Sequence, residues 1–264
     1  MRHYNMLSIG ITTFKRRLQL LKNLIKQIRH FDKFVDILVT VNGDNDAQFD
    51  ESYRKDLLNF MAQTDNVFPI FFPSFSGLSK MWNTLIIHSP TEHILILNDD
   101  IILNEDSNIF PTISEVIQRE ELFVLNDSWA HFVISKKIAY LLKYFDERLL
   151  AFGEEDGDMV WRFIQMFGKP PPDVIVRGIS NICEGYHISP TNIETCMVGR
   201  RQVPKFNRYF MFNHKYRFTN NAEDIKGMFD APCQKLLQDV QQYPYEEFKE
   251  KNKWNIKKVD KTVL

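Results

Sequence analysis

The stretch His93-Ile94-Leu95-Ile96-Leu97-Asn98-Asp99-Asp100, HILILNDD, decides how this chain is read. Four large apolar residues follow His93 without a break, the pattern of a strand covered on both faces. Three polar residues then end the run, so the carboxylates of Asp99 and Asp100 fall at the strand's carboxyl end. Ligands of open α/β sheets bind beyond the carboxyl ends of the strands, which makes this acidic terminus a candidate site by position alone. Asn and Asp also favour ordinary turns, so other segments must decide between the two readings.

Working outward, apolar runs at Leu7–Ile11, Asp36–Val41 and Val67–Phe72 read as three earlier strands. Between them Leu18, Leu21, Leu24, Ile25 and Ile28 recur at helical spacing, as do Leu57, Leu58 and Met61. A third helix is predicted from Leu78 to Ile87, leading into HILIL. This alternation predicts an α/β, Rossmann-like fold with a mainly parallel central sheet flanked by helices. Downstream the order loosens: LFVLN and AHFVIS read as strands, Lys136–Tyr144 and Gly157–Phe167 as helices. Pro170, Pro171 and Pro172 break any helix before a strand at DVIVRGI. From Asn220 the chain is polar and helix-prone, ending in KEKNKWNIKKVDK. The expected organisation is one domain over 1–219 with an irregular acceptor-side half, and a helical C-terminal extension over 220–264 packed on it.

Composition excludes several classes. A 44% hydrophobic share with 13% aromatics supplies a substantial core, which argues against disorder. Lys and Arg number 33 against 34 Asp and Glu, so no global field favours nucleic acid. Cys183, Cys196 and Cys233 are too few and scattered for a disulfide framework, which fits a reducing cytoplasm. No apolar run approaches the roughly 20 residues of a membrane span. A cytoplasmic protein is expected, with a peripheral contact at the inner face of a membrane left open.

Two more segments carry chemistry. Thr12 and Thr13, ending the first strand, offer backbone and hydroxyl groups to a base, while Lys15 and Arg16 suit phosphates. FGEEDGDMVWR sets four carboxylates at the entrance of a helix, whose N-terminus stabilises negative charge. Acidic capping of a helix accounts for the same letters without catalysis.

Taken in order, SIGITTFKRR, ILILNDDIIL and FGEEDGDMVWR resemble the inverting nucleotide-sugar transferases of glycosyltransferase family 2 and their GT-A relatives, over roughly the first two-thirds of the chain. The resemblance implies a metal-dependent glycosyltransferase of the hexosyltransferase class, with Mn²⁺ or Mg²⁺ as cofactor. Asp100 takes the place of the metal ligand and Asp99 lies nearer the ribose. Asp156 matches the catalytic base and Glu155 the residue that orients the acceptor, although the extra Glu154 leaves Glu155 open as the base. Thr12, Thr13, Arg16 and Asn42 fall where the family holds the nucleotide. Gly77, Lys80 and Asn83 of SGLSKMWN fall where it approaches the donor. His187 of GYHISP stands where relatives complete the metal shell, and Lys215 and Tyr216 border the donor pocket. The implied partners are a nucleotide diphosphate sugar, a UDP-sugar favoured, and a glycan or glycolipid acceptor in surface polysaccharide biosynthesis. Two other readings compete. A noncatalytic nucleotide- or carbohydrate-binding module would keep the fold without turnover. A sugar nucleotidyltransferase would show a glycine-rich phosphate loop, which ITTFKRR lacks.

Overall fold

The four apolar runs become four neighbouring parallel strands. The computed structural model describes residues 6–13, 17–42, 51–72, 76–149, 153–182, 207–208, 210–211, 215–218 and 233–236. Strands β1 (Leu7–Thr13), β2 (Ile37–Val41), β3 (Val67–Phe71) and β4 (His93–Asn98) lie side by side in the order β3-β2-β1-β4, all parallel. Every residue of β1 and β2 is buried, as strands covered on both faces require.

Helices α1 (Leu18–Phe31), α2 (Glu51–Ala62) and α3 (Leu78–His88) connect them. The stripe Leu21, Leu24, Ile25 and Ile28 of α1 is buried as expected and joins Ile9, Val39 and Leu97 in one core. In α2 Leu57 and Met61 join it, but Leu58 is exposed, because adjacent helical positions point 100° apart. The opposite sheet face is covered by α3. There a Cβ on Gly10 would stand 2.9 Å from Cδ1 of both Ile94 and Ile96 and 3.0 Å from Leu85 Cδ1, so glycine lets strand and helix close.

Beyond β4 come β5 (Ile101–Leu103), α4 (Ile109–Val116), β6 (Leu122–Leu125) and β7 (Ser128–Ser135). Next are α5 (Lys136–Leu141), α6 (Glu155–Phe167), β8 (Asp173–Val174) and β9 (Ile179–Asn181). The main sheet runs β3-β2-β1-β4-β7-β6-β8, with β7 antiparallel to both neighbours. Asn126 and Asp127 turn the β6–β7 hairpin at φ 51° and 53°, a left-handed pair that these side chains tolerate.

Three boundaries differ from the sequence expectation. Helix α5 stops at Leu141, and Lys143 and Tyr144 take φ of 61° and 60°. Helix α6 starts at Glu155 and not at Gly157, which brings the acidic residues into its first turn. The strand expected over DVIVRGI shrinks to β8, since the Asn126 side chain takes the Val176 backbone in both directions, at 2.9 and 2.8 Å. The chain then bends through Gly178 and pairs β9 with β5, which the sequence did not foretell. In the C-terminal stretch Cys233–Leu236 forms strand β11, antiparallel to β10 (Tyr216–Phe218), where a helical tail was expected. The rest of 220–264 lies outside the described residues.

Compactness divides the chain into two units: Met1–Ser76 with Met81–Leu141 and Pro171–Cys196, and Gly77–Lys80 with Leu142–Pro170 and Met197–Leu264. The first contains the seven-stranded sheet, the second α6 and the β10–β11 pair. Among the described residues no helix is long and apolar enough to cross a membrane.

Candidate active site

The sheet changes winding direction between β1 and β4. From β1 the chain builds outward through β2 and β3, then returns to lay β4 on β1's other side. Such a switch point opens a crevice at the strands' carboxyl ends. Thr12, next to last in β1, lies in register with Asn98, and its Oγ1 donates to Asn98 Oδ1 at 3.2 Å. Thr13 Oγ1 donates to Asp99 Oδ2 at 2.5 Å. Two predicted donor residues and the acidic cluster thus meet at the switch point.

Arg17, just ahead of α1, reaches the same carboxylates. Its Nη2 lies 2.7 Å from Asp99 Oδ1 and 3.0 Å from Asp100 Oδ2, and all three side chains are buried. Burial pushes the Asp99 carboxyl up to about 7, Arg17 opposing the shift and the charge of Asp100 adding to it. Tyr53 of α2 hydrogen-bonds the Thr13 side chain and the Arg17 backbone, and burial beside Asp99 raises its phenol.

The acidic pair fits a hard divalent cation. Asp100 Oδ1 is buried and has no hydrogen-bond partner among the described residues, so a lone pair is left for a ligand. Carboxylate oxygens are the donors Mg²⁺ and Mn²⁺ select, and Mg²⁺ is commonly held by one or two carboxylates plus substrate phosphates. Among the described residues no group of three His, Cys, Asp or Glu side chains is arranged as a metal cage, so a cation held by this pair would need further ligands from elsewhere. His187, expected in that shell, lies outside the described residues, as does Arg16. His131 of β7, opposite Leu97, is buried with neither ring nitrogen hydrogen-bonded among the described residues. Burial lowers it to about 4, with the charge of Asp100 acting against the shift, so the ring is neutral at pH 7.

The four carboxylates around the start of α6 separate by partner. Glu154, ahead of the helix at φ 72°, pairs with Arg208 at 3.0 Å. Asp158 is held by Arg162 at 2.7 Å and by Lys215 at 2.6 Å. Glu155 and Asp156 have no cationic partner among the described residues. Glu155 is buried, and that burial, with Asp156 beside it, pushes its carboxyl up to about 8. Asp156 is partly exposed and accepts a hydrogen bond from the Gly157 amide at 2.7 Å; burial raises its pKa as well.

Other expected residues have different surroundings. The Asn42 side chain donates to the Ser76 carbonyl at 2.8 Å and accepts from the Ser76 amide at 2.7 Å, so it clasps two chain segments. Asn83 is buried on α3, Lys80 is exposed in its first turn, and Gly77 accepts from the Lys80 amide at 3.1 Å. Lys215, expected at a donor pocket's border, is instead fully buried, 2.6 Å from both Asp146 and Asp158. Arg148 completes the knot at 2.7 Å from Asp146. The sequence reading missed Arg17, Tyr53, Asp146 and Arg148. Arg17 belonged to the run TTFKRR, where the charge of Lys15 and Arg16 drew attention, and it is the basic member of that run among the described residues.

No protein-family model and no curated protein sequence matches the chain. Among solved structures it is similar to the crystal structure of S. aureus TarS, with a TM-score of 0.50 and 9% identity, covering 79% of this chain and 44% of that one. The chain therefore spans less than half of that protein. TarS residues 1–349 in complex with UDP give a TM-score of 0.47 at 11% identity, covering 79% and 72%. At such identities the likeness is one of fold, and the α/β GT-A architecture expected from the sequence is the one this chain has.

Proposed function

We propose that the chain is an inverting glycosyltransferase that moves a sugar from a nucleotide diphosphate sugar, a UDP-sugar by preference, to a hydroxyl of a glycan or glycolipid in surface polysaccharide biosynthesis. The observation that carries this reading is the meeting of Thr12 and Thr13 with Asn98 and Asp99 at the β1–β4 switch point, beside a buried Asp100 oxygen without a hydrogen bond. A nucleotide placed there finds hydroxyl groups from Thr12 and Thr13, while Asp99 accepts from the ribose. Arg16 and Asn42 complete the nucleotide's surroundings in this reading, and Gly77, Lys80 and Asn83 serve the donor sugar and diphosphate. Asp100, with Asp99 beside it, would hold Mn²⁺ or Mg²⁺, which supplies positive charge to the departing diphosphate; His187 is proposed as a further ligand.

The transfer is a single displacement. The acceptor oxygen bonds to the anomeric carbon from the face opposite the diphosphate, the bond to the diphosphate breaks, and the acceptor's proton passes to Asp156. Glu155, holding its own proton near neutral pH, donates a hydrogen bond that orients the acceptor. The reading carries with it a cytoplasmic chain that meets a lipid-borne acceptor peripherally.

A panel of nucleotide sugars tests it, scored by thermal shift with and without Mn²⁺ and by acceptor-dependent release of nucleotide diphosphate. The expected result is a Mn²⁺-enhanced shift with UDP-sugars and release that depends on acceptor. Binding with no release across a broad acceptor panel would make the chain a noncatalytic module, and formation of a nucleotide sugar from a sugar phosphate would make it a nucleotidyltransferase.

A further inference from the structure

The motifs assign no task to Arg17, yet it occupies the centre of the acidic cluster. One nitrogen, Nη2, spans Asp99 Oδ1 and Asp100 Oδ2 at 2.7 and 3.0 Å. Among the described residues no other cation pairs with either carboxylate. Asp99 Oδ2 is taken by the Thr13 hydroxyl, while Asp100 Oδ1 is buried without a hydrogen bond among the described residues.

We infer that Arg17 is a built-in counter-ion that keeps the acidic pair's affinity for a divalent cation low until a nucleotide diphosphate is present. This deepens the donor-site reading and rests on it. A guanidinium and a divalent cation compete for the same two oxygens, and like charges a few ångströms apart in a buried setting repel strongly. A hard cation needs about six oxygen ligands, whereas the cluster leaves one unclaimed. A diphosphate changes both conditions: its oxygens fill the missing ligand positions, and its charge offers the guanidinium another anionic partner in bidentate geometry. Arg17 thus links cation uptake to donor uptake, and the free protein's acids stay compensated.

Electron paramagnetic resonance of free Mn²⁺, titrated with the full chain, tests this without reference to transfer. In the parent, addition of UDP is expected to tighten Mn²⁺ binding about tenfold or more. Without nucleotide, Arg17→Gln is expected to bind Mn²⁺ about tenfold more tightly than the parent, and Arg17→Lys to stay within about threefold of it. Asp100→Asn added to Arg17→Gln should abolish the gain. Equal affinity in parent and a folded Arg17→Gln, or a gain that survives Asp100→Asn, overturns the inference. If Arg17→Gln does not fold, the parent titration decides, and a Mn²⁺ affinity indifferent to UDP overturns it. Calorimetry of UDP in EDTA reads the donor site separately. UDP bound with no effect of Arg17 sinks the counter-ion role alone, while no binding of UDP with or without Mn²⁺ sinks the donor reading.

Discussion

Two buried acidic clusters, one ending β4 and one starting α6, differ in how positive charge is distributed around them. At β4 a single guanidinium serves two carboxylates and leaves one Asp100 oxygen unclaimed. In the unit containing α6, three cations, Lys215, Arg148 and Arg162, pair with the two carboxylates of Asp146 and Asp158. Two and three residues ahead of Asp158, Asp156 and Glu155 have no cationic partner among the described residues. Burying charge is tolerated when partners are supplied from within the fold. A cluster with a surplus of partners is therefore closed, a structural knot, and one with a deficit is open to chemistry from outside. This distinction separates acids that the sequence places within four residues of one another.

The largest expected effect attacks the closed cluster. Lys215→Met removes the cation shared by Asp146 and Asp158, leaving two buried carboxylates short of a partner, and should cost about 3–5 kcal/mol in chemical denaturation. A loss below about 1 kcal/mol would mean that Arg148 and Arg162 suffice and that the knot is redundant. Asp156→Asn, at an acid of α6 outside the closed cluster, should keep the fold and the donor affinity while lowering acceptor-dependent turnover by about 100-fold or more. Glu155→Gln should act mainly on acceptor KM. If Glu155→Gln loses turnover and Asp156→Asn does not, the two roles are exchanged.

Much of the sheet was legible because parallel strands buried on both faces must be near-continuous apolar runs, and HILIL, LSIGI and ILVTV can be little else. The switch-point pairs were legible for a related reason, since polar residues that end such runs fall at the carboxyl edge. The β5–β9 pair was not, because three-residue strands carry no period. The surroundings of Lys215 were not legible for a physical reason: its burial depends on Asp146 and Asp158, which are 69 and 57 positions away. Charge partners distant in sequence leave no local pattern. Arg17 was hidden among adjacent basic residues that only the backbone direction at the start of α1 can tell apart.

The last effect concerns the proton on Glu155. Its carboxyl stands at about 8 in the folded chain against an ordinary 4.5, chiefly because it is buried, then because Asp156 adjoins it. Below pH 4.5 both folded and unfolded chains hold the proton, so at pH 4 Glu155→Gln replaces a neutral group by one of the same shape and should change stability by less than about 1 kcal/mol. Between pH 4.5 and 8 the unfolded chain has released the proton while the folded chain keeps it, so the parent loses stability as pH rises through that window. Above 8 the folded carboxyl ionises too and the loss stops growing. Glu154 and Asp156 are also raised and add slope of the same sign, so the difference between the two curves reports Glu155 together with its interaction with Asp156. Denaturation at intervals from pH 4 to 9 should show a gap that opens near 4.5, favours the variant, and levels off above 8. Parallel curves across that range would leave Glu155 ionised at neutral pH and as able as Asp156 to take the acceptor's proton.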